Sequence, residues 1–160
     1  MEGLIQYISD INQFKEAVLS ILGDSIVPEI LISGIYTRMI LGDIIDKIIE
    51  MNNGDKCKII ISNIINREGL SKSQIRKLYT QGGKIKINSN ASNNIIIIGN
   101  NAFVLSYSYK YNRENGPRTS FESCILTDCS SVVDKVKEVF LEKWGRSFPL
   151  AVENAGEDNL

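Results

Sequence analysis

Apolar residues recur along this chain with two alternating periods, and the switches between them mark out its elements. Asp10 and Gln13 stand at capping-box spacing, and Ile11, Phe14, Val18, Ile21 and Leu22 then share one helical face, so residues 10 to 22 read as an amphipathic helix that Gly23 ends. The run from Glu29 to Ser33, bounded by Pro28 and Gly34, is short, apolar and β-branched, which suits a strand buried on both faces. Leu41, Ile44, Ile45 and Ile48 return to helical spacing until Asn52-Asn53-Gly54 stops them, and a second buried strand follows from Cys57 to Asn63. Ser71 to Gln81 reads as a short polar helix with Ile75, Leu78 and Tyr79 inward, closed by Gly82-Gly83, and Lys84 to Asn88 alternates as a strand does. An α-β-α-β-α-β order implies right-handed crossovers and a parallel sheet.

The order then changes. Ile95 to Ile98 and Ala102 to Tyr109 are strand-like runs separated only by Gly99-Asn100-Asn101, a connection that fits a hairpin, so the sheet is expected to be mixed but mostly parallel. Tyr111 to Ser120 (YNRENGPRTS) is turn-rich and polar and reads as an exposed loop, after which Phe121 to Thr127 returns as a strand. Ser130 or Ser131 is expected to cap a last helix that buries Val132, Val133, Val136, Val139, Phe140 and Trp144. Residues 1–149 thus form one expected α/β domain with a mixed sheet flanked by helices, and residues 150–160 an acidic, flexible tail.

Composition narrows the chemistry. The 160 residues are 43% hydrophobic, enough for a real core, and their 18 basic and 19 acidic side chains leave a net charge of -1, so the chain as a whole is no polycation. Histidine is absent, which removes every mechanism that needs an imidazole as nucleophile, general base or metal ligand. Cys57, Cys124 and Cys129 are too few and too unevenly spaced for a disulfide scaffold or a C-x-x-C site and read as buried thiols in a reducing compartment. With no basic leader and no run of about 20 apolar residues, the expected setting is cytoplasmic and away from membranes. No Asp, Glu or Cys cluster suggests a metal, Gly82-Gly83 lacks the Lys-Ser/Thr of a phosphate loop, and no cofactor is expected. Asp43 and Asp46, three apart on a helix, read as solvent-facing.

From Cys57 to Trp144 the succession of buried strand, helix, strand, hairpin, loop, Phe-Glu strand and amphipathic helix resembles one half of a phospholipase D superfamily protein. The family signature is His-x-Lys, four residues, Asp, and later Gly-Ser-x-Asn, followed by a strand with Glu. In SNNIIIIGNNAFVLSYSY, Ser92 stands at the histidine position, Asn94 at the lysine, Gly99 at the aspartate, and Ser106 to Tyr109 at the Gly-Ser-x-Asn run. Glu122 in SFESCILTD matches a family polar position by type. The resemblance implies a phospholipase D-like fold. It also implies a pseudoenzyme, because family catalysis uses histidine attack on phosphorus with lysines neutralising the phosphoryl charge, and Ser92 and Asn94 supply neither function. Family members set two such domains face to face, so the resemblance further implies a homodimer through the hairpin from Asn94 to Tyr109 and the loop after it.

What remains is binding. From Asp55 to Lys86 the chain carries eight positive and two negative side chains, a local balance of +6 that includes Lys72, Arg76 and Lys77. The window fits either a phosphate-binding face or the solvated outer side of a helix. LSKSQIRKLYTQGG could be one helix of a helix-turn-helix, but its partner helix is missing. Lys110, Arg113 and Arg118 are interleaved with Tyr109 and Tyr111, a mixture able to combine phosphate contacts with base stacking, or strand-end packing instead. The leading expectation is an inert, phospholipase D-like module that recognises nucleic acid in a regulatory role. The alternative is a protein-interaction or dimerisation module without nucleic-acid contact.

Overall fold

The computed structural model describes residues 3–24, 26–34, 38–62, 69–89, 93–114 and 116–151, and at 24, 38–39, 109–112 and 116–119 it describes the backbone alone. The elements are β1 (Ile5–Ile8), α1 (Ile11–Asp24), β2 (Ile30–Gly34), α2 (Arg38–Glu50), β3 (Cys57–Ile61), α3 (Lys72–Thr80), β4 (Lys84–Ile87), β5 (Asn94–Ile98), β6 (Asn101–Asn112), β7 (Gly116–Thr127), α4 (Ser130–Gly145) and β8 (Phe148–Pro149). One eight-stranded sheet runs in the order β1-β7-β6-β5-β2-β3-β4-β8.

The runs of isoleucine build the centre. In β2, β3 and β5 alternate residues enter two different cores: Ile30, Ile32, Ile59, Ile61, Ile96 and Ile98 pack with α1, α2 and α3, whereas Leu31, Ile60, Ile95 and Ile97 pack with α4. Period-2 side chains with both faces covered are what a continuous apolar strand requires. The helix starts follow local chemistry. Asp10 accepts from the Asn12 and Gln13 amides at 2.8 and 3.0 Å, as its spacing predicts, and Ser71 and Gln74 close a reciprocal capping box at α3. At α4 the N-cap is Cys129, not Ser130 or Ser131, and no side chain caps it.

The sheet corrects the expected strand sense. Only β2–β3 and β3–β4 run parallel; β1–β7, β2–β5, β4–β8, β5–β6 and β6–β7 are antiparallel, so the sheet is mostly antiparallel. The crossover helices do impose parallel pairing where they occur, but β5 inserts beside β2 instead of continuing past β4, and every later strand joins by reversal. β1 and β8 are edge strands that periodicity does not reveal, since β1 buries Ile8 alone and β8 has two residues. Ordered packing also passes the expected boundary at Pro149: Leu150 is buried, its amide donates to the Ile85 carbonyl at 3.1 Å, and the Tyr79 hydroxyl donates to its carbonyl. Residues 152–160, most of the expected tail, lie outside the described residues. Among the described residues no helix is long and apolar enough to cross a membrane.

Candidate nucleic-acid interface

The segment from Tyr111 to Ser120, expected as a loop, is mostly strand. β5 pairs with β6 only from Asn101 to Leu105, and β1 pairs with β7 only from Cys124 to Thr127. Beyond those points, among the described residues, β6 and β7 pair with each other alone, Ser106 to Asn112 against Gly116 to Ser123, and form a two-stranded ribbon. At about 3.4 Å per residue it extends roughly 20 Å past its neighbours. At its root Glu122 is the extra residue of a β-bulge, because Ser106 faces Ser123 while Tyr107 faces Phe121. A bulge of this kind twists the strand and re-aims the residues beyond it. The Ser106 hydroxyl donates to Glu122 Oε1 at 3.3 Å, and the Ser108 and Ser120 hydroxyls lie 2.6 Å apart. Toward the tip Lys110 is the register partner of Arg118, Tyr109 of Thr119 and Tyr111 of Pro117, and Arg113 is exposed in the turn. The three cations that the sequence places in a loop thus gather at the end of a ribbon.

Among the described residues, Gly99, Asn94 and Glu122, aligned with family polar positions, do not share one place. Gly99, with φ of +56°, is the first residue of the two-residue turn between β5 and β6, where a type II′ turn calls for glycine, and its amide donates to the Glu29 carbonyl at 3.0 Å. Asn94 is at the opposite end of that hairpin, paired with Leu105, and a Cβ added to Gly34 would lie 2.2 Å from Asn94 Oδ1. Leu105, Tyr107 and Phe121 pack into the core under α1 to α3, and Asn94 shares their face, so Ser106 and Glu122 point to the other. Glu122 therefore serves the ribbon root instead of facing Asn94. Ser92 lies outside the described residues. Tyr107, within the Gly-Ser-x-Asn alignment, is half-buried against the core, and the loss of water around it holds its phenol above the usual range.

The basic window divides. α3 turns Ile75 and Leu78 inward and leaves Arg76 and Lys77 exposed, with Lys72 half-buried in the first turn. α3 packs against α2 and β4, four strand spacings from β6, or roughly 20 Å across the sheet, so these cations and the ribbon tip do not form one patch. Lys58, Lys84 and Lys86 emerge on the opposite face, beside α4. Asp43 and Asp46 are exposed as expected; Asp43 pairs with Lys15 at 3.4 Å and Asp46 accepts from Gln74 at 3.1 Å. Burial raises Cys57 to about 12 and Cys124 to about 11, so both are neutral thiols near pH 7. No group of three His, Cys, Asp or Glu among the described residues could hold a metal ion. A cleft of about 340 Å³ between β5–β6 and α4 is lined mainly by Ile95, Val104, Val136 and Val139, with Asn93 and Lys135 at its polar margin.

No described protein family matches the sequence, and no curated protein does. Solved structures match the fold. NucT from Helicobacter pylori aligns with 93% of this chain and all (100%) of its own at a TM-score of 0.66 and 17% identity. Nuc from Salmonella typhimurium, a phospholipase D family member, aligns with 93% of this chain and 99% of its own at 0.59 and 16%. TrmBL2, an archaeal chromatin protein with a novel mode of DNA binding, matches 91% of this chain at 0.61 and 16%, and there the chain spans 53% of the relative's length. The chain has the phospholipase D-like fold.

Proposed function

We propose that this chain is a nucleic-acid-binding module that grips a phosphate-rich duplex with the β6–β7 ribbon and leaves it uncleaved. The ribbon carries the reading: it projects beyond the sheet, its register sets Lys110 opposite Arg118, and Arg113 is exposed at its turn. A two-stranded ribbon matches a B-DNA major groove of about 12 Å, and Lys and Arg at neighbouring register positions toward its tip suit a polyanion. The shared fold with a DNA-binding chromatin protein supports the reading, and the lack of histidine in the chain supports an inert role. Lys72, Arg76 and Lys77 enter as a supporting positive field, since α3 stands away from the ribbon.

Fluorescence anisotropy with a labelled duplex tests this. Affinity is expected to fall steeply with salt, Arg113→Glu/Arg118→Glu to weaken binding roughly tenfold or more, and Arg76→Glu/Lys77→Glu to cost less. The oligonucleotide should be recovered intact after prolonged incubation. Binding indifferent to the ribbon charges would overturn the reading, and cleavage that copurifies with the protein would overturn its inert half.

A separate observation favours self-association as a second reading. α4 packs over β5, β2, the start of β6 at Ala102 and the β3–β4 side of its face, and beyond these Tyr7 pairs with Ile125 and Ile125 with Val104, at 69%, 45% and 41% exposure, with Ile5 beside them at 64%. An apolar row of this size next to a cleft fits a homodimer contact. Light scattering should give twice the chain mass for the wild type and the chain mass for Ile125→Glu. A wild-type monomer at micromolar concentration removes the dimer.

A further inference from the structure

The strand register brings Lys58 beside Lys84 and Lys86, which follow it by 26 and 28 positions in the chain. In the parallel array β2–β3–β4, Leu31, Lys58 and Lys84 are successive neighbours, and Ser33, Ile60 and Lys86 form the next row. Leu31 and Ile60 belong to the core under α4, so Lys58, Lys84 and Lys86 rise on that same face. There Lys58 and Lys86 meet the last turn of α4. Lys86 Nζ sits 4.4 Å from the centre of the Trp144 ring and donates to the Trp144 carbonyl at 3.0 Å, while Lys58 Nζ is 5.7 Å from the same ring. The indole, itself stacked on Phe140 at 6.0 Å, holds two of the ammonium groups in place.

No carboxylate among the described residues pairs with these lysines. Glu138 and Glu142 of α4 and Glu29 of the segment leading into β2 are committed elsewhere: Glu142 to Arg146 at 3.0 Å, Glu138 to Lys135 at 3.3 Å, and Glu29 to Lys137. Lys86 has a structural task, closing the carbonyl end of α4. Lys58 and Lys84 have none that the structure shows, yet they stand as neighbours on adjacent strands, where like charges repel. Among the described residues the Trp144 ring offsets part of that repulsion at Lys58 and no carboxylate does so, and an anion from outside would offset the rest.

We infer that Lys58, which shares the Trp144 ring with Lys86, and its strand neighbour Lys84 form a second contact for the phosphates of a nucleic-acid backbone, on the far side of the sheet from α3 and apart from the ribbon. The inference rests on the nucleic-acid-binding reading and adds to it a sequence-independent hold. Neutralising these two lysines removes phosphate contacts without touching the ribbon.

The salt dependence of duplex binding decides it. With log affinity plotted against log salt, Lys58→Gln/Lys84→Gln is expected to shallow the slope by about 1.8, and Lys84→Gln alone, at an exposed position, by about 0.9. Thermal melting of both variants should match the wild type. A wild-type slope retained by both variants, with binding still sensitive to Arg113 and Arg118, overturns this contact and leaves the ribbon reading standing. A wild type that does not bind the duplex overturns both.

Discussion

Gly34→Ala is expected to destabilise the protein by about 3 kcal/mol or more, combining backbone strain with steric conflict. Gly34 ends β2 at φ of +131°, a region that residues with a Cβ avoid, and the added atom would lie 2.2 Å from Asn94 Oδ1 and 2.9 Å from both the Asn93 carbonyl oxygen and Asn94 Cα. A side-chain tip can swing aside. The two backbone atoms cannot move unless β5 shifts, and β5 is clamped between β2 and β6. Since domains of this kind are stable by only about 5–15 kcal/mol, the urea midpoint should fall markedly while the slope of the transition is retained. Truncating the partner in Gly34→Ala/Asn94→Ala relieves the shortest contact alone, so that variant should recover part of the loss and remain well below the wild type. Gly34→Ala within about 0.5 kcal/mol of wild type would show that β2 and β5 do not approach as described.

Phe14→Ala is expected to cost about 3–5 kcal/mol, the usual range for removing a buried ring. Phe14 is fully buried, stacks on Phe121 at 5.2 Å with 9° between ring planes, and meets Phe103 edge-on at 5.7 Å. Phe121 ends the part of β7 that pairs with β6 in the ribbon and precedes the bulge, so the loss should not be uniform. Without Phe14 the root of the ribbon loses its packing against α1, and amide exchange across residues 106–123 should accelerate more than exchange in β2 and β3. The functional consequence is weaker duplex binding despite an unchanged set of cations, because the ribbon tip is no longer held at a fixed angle. Exchange that accelerates equally throughout would mean that Phe14 stabilises the domain without positioning the ribbon.

The elements legible in the chain are those whose side chains face two cores or one. Ile30 to Ile32, Ile59 to Ile61 and Ile95 to Ile98 are apolar without interruption because each strand is covered on both faces, and Phe14, Val18 and Leu22 repeat at helical spacing because α1 is covered on one. The ribbon is not legible in this way. A strand pair that projects past its sheet has little to bury, so Tyr111 to Ser120 keeps the polar, turn-rich composition of a loop while its backbone groups pair across the ladder. Residue type there reports exposure and is silent on conformation. For the candidate site, the cations Lys110, Arg113 and Arg118 are legible as residue types, whereas Lys58 and Lys84 are visible only as members of a charged window of 32 residues spanning Asp55 to Lys86.

By itself the sequence determined where most helices and central strands lie, which side chains each turns inward, and that no imidazole is available for chemistry on phosphorus. These follow from periods of 3.6 and 2 and from residue type, all of them local. Tertiary structure decided the rest: that β5 lies antiparallel beside β2, that the bulge at Glu122 turns its carboxylate away from the face of Asn94, and that Lys58 and Lys84 become neighbours although 26 positions separate them in the chain. Strand order and register are set by which distant surfaces bury best against one another, and spacing along the chain carries no record of that choice.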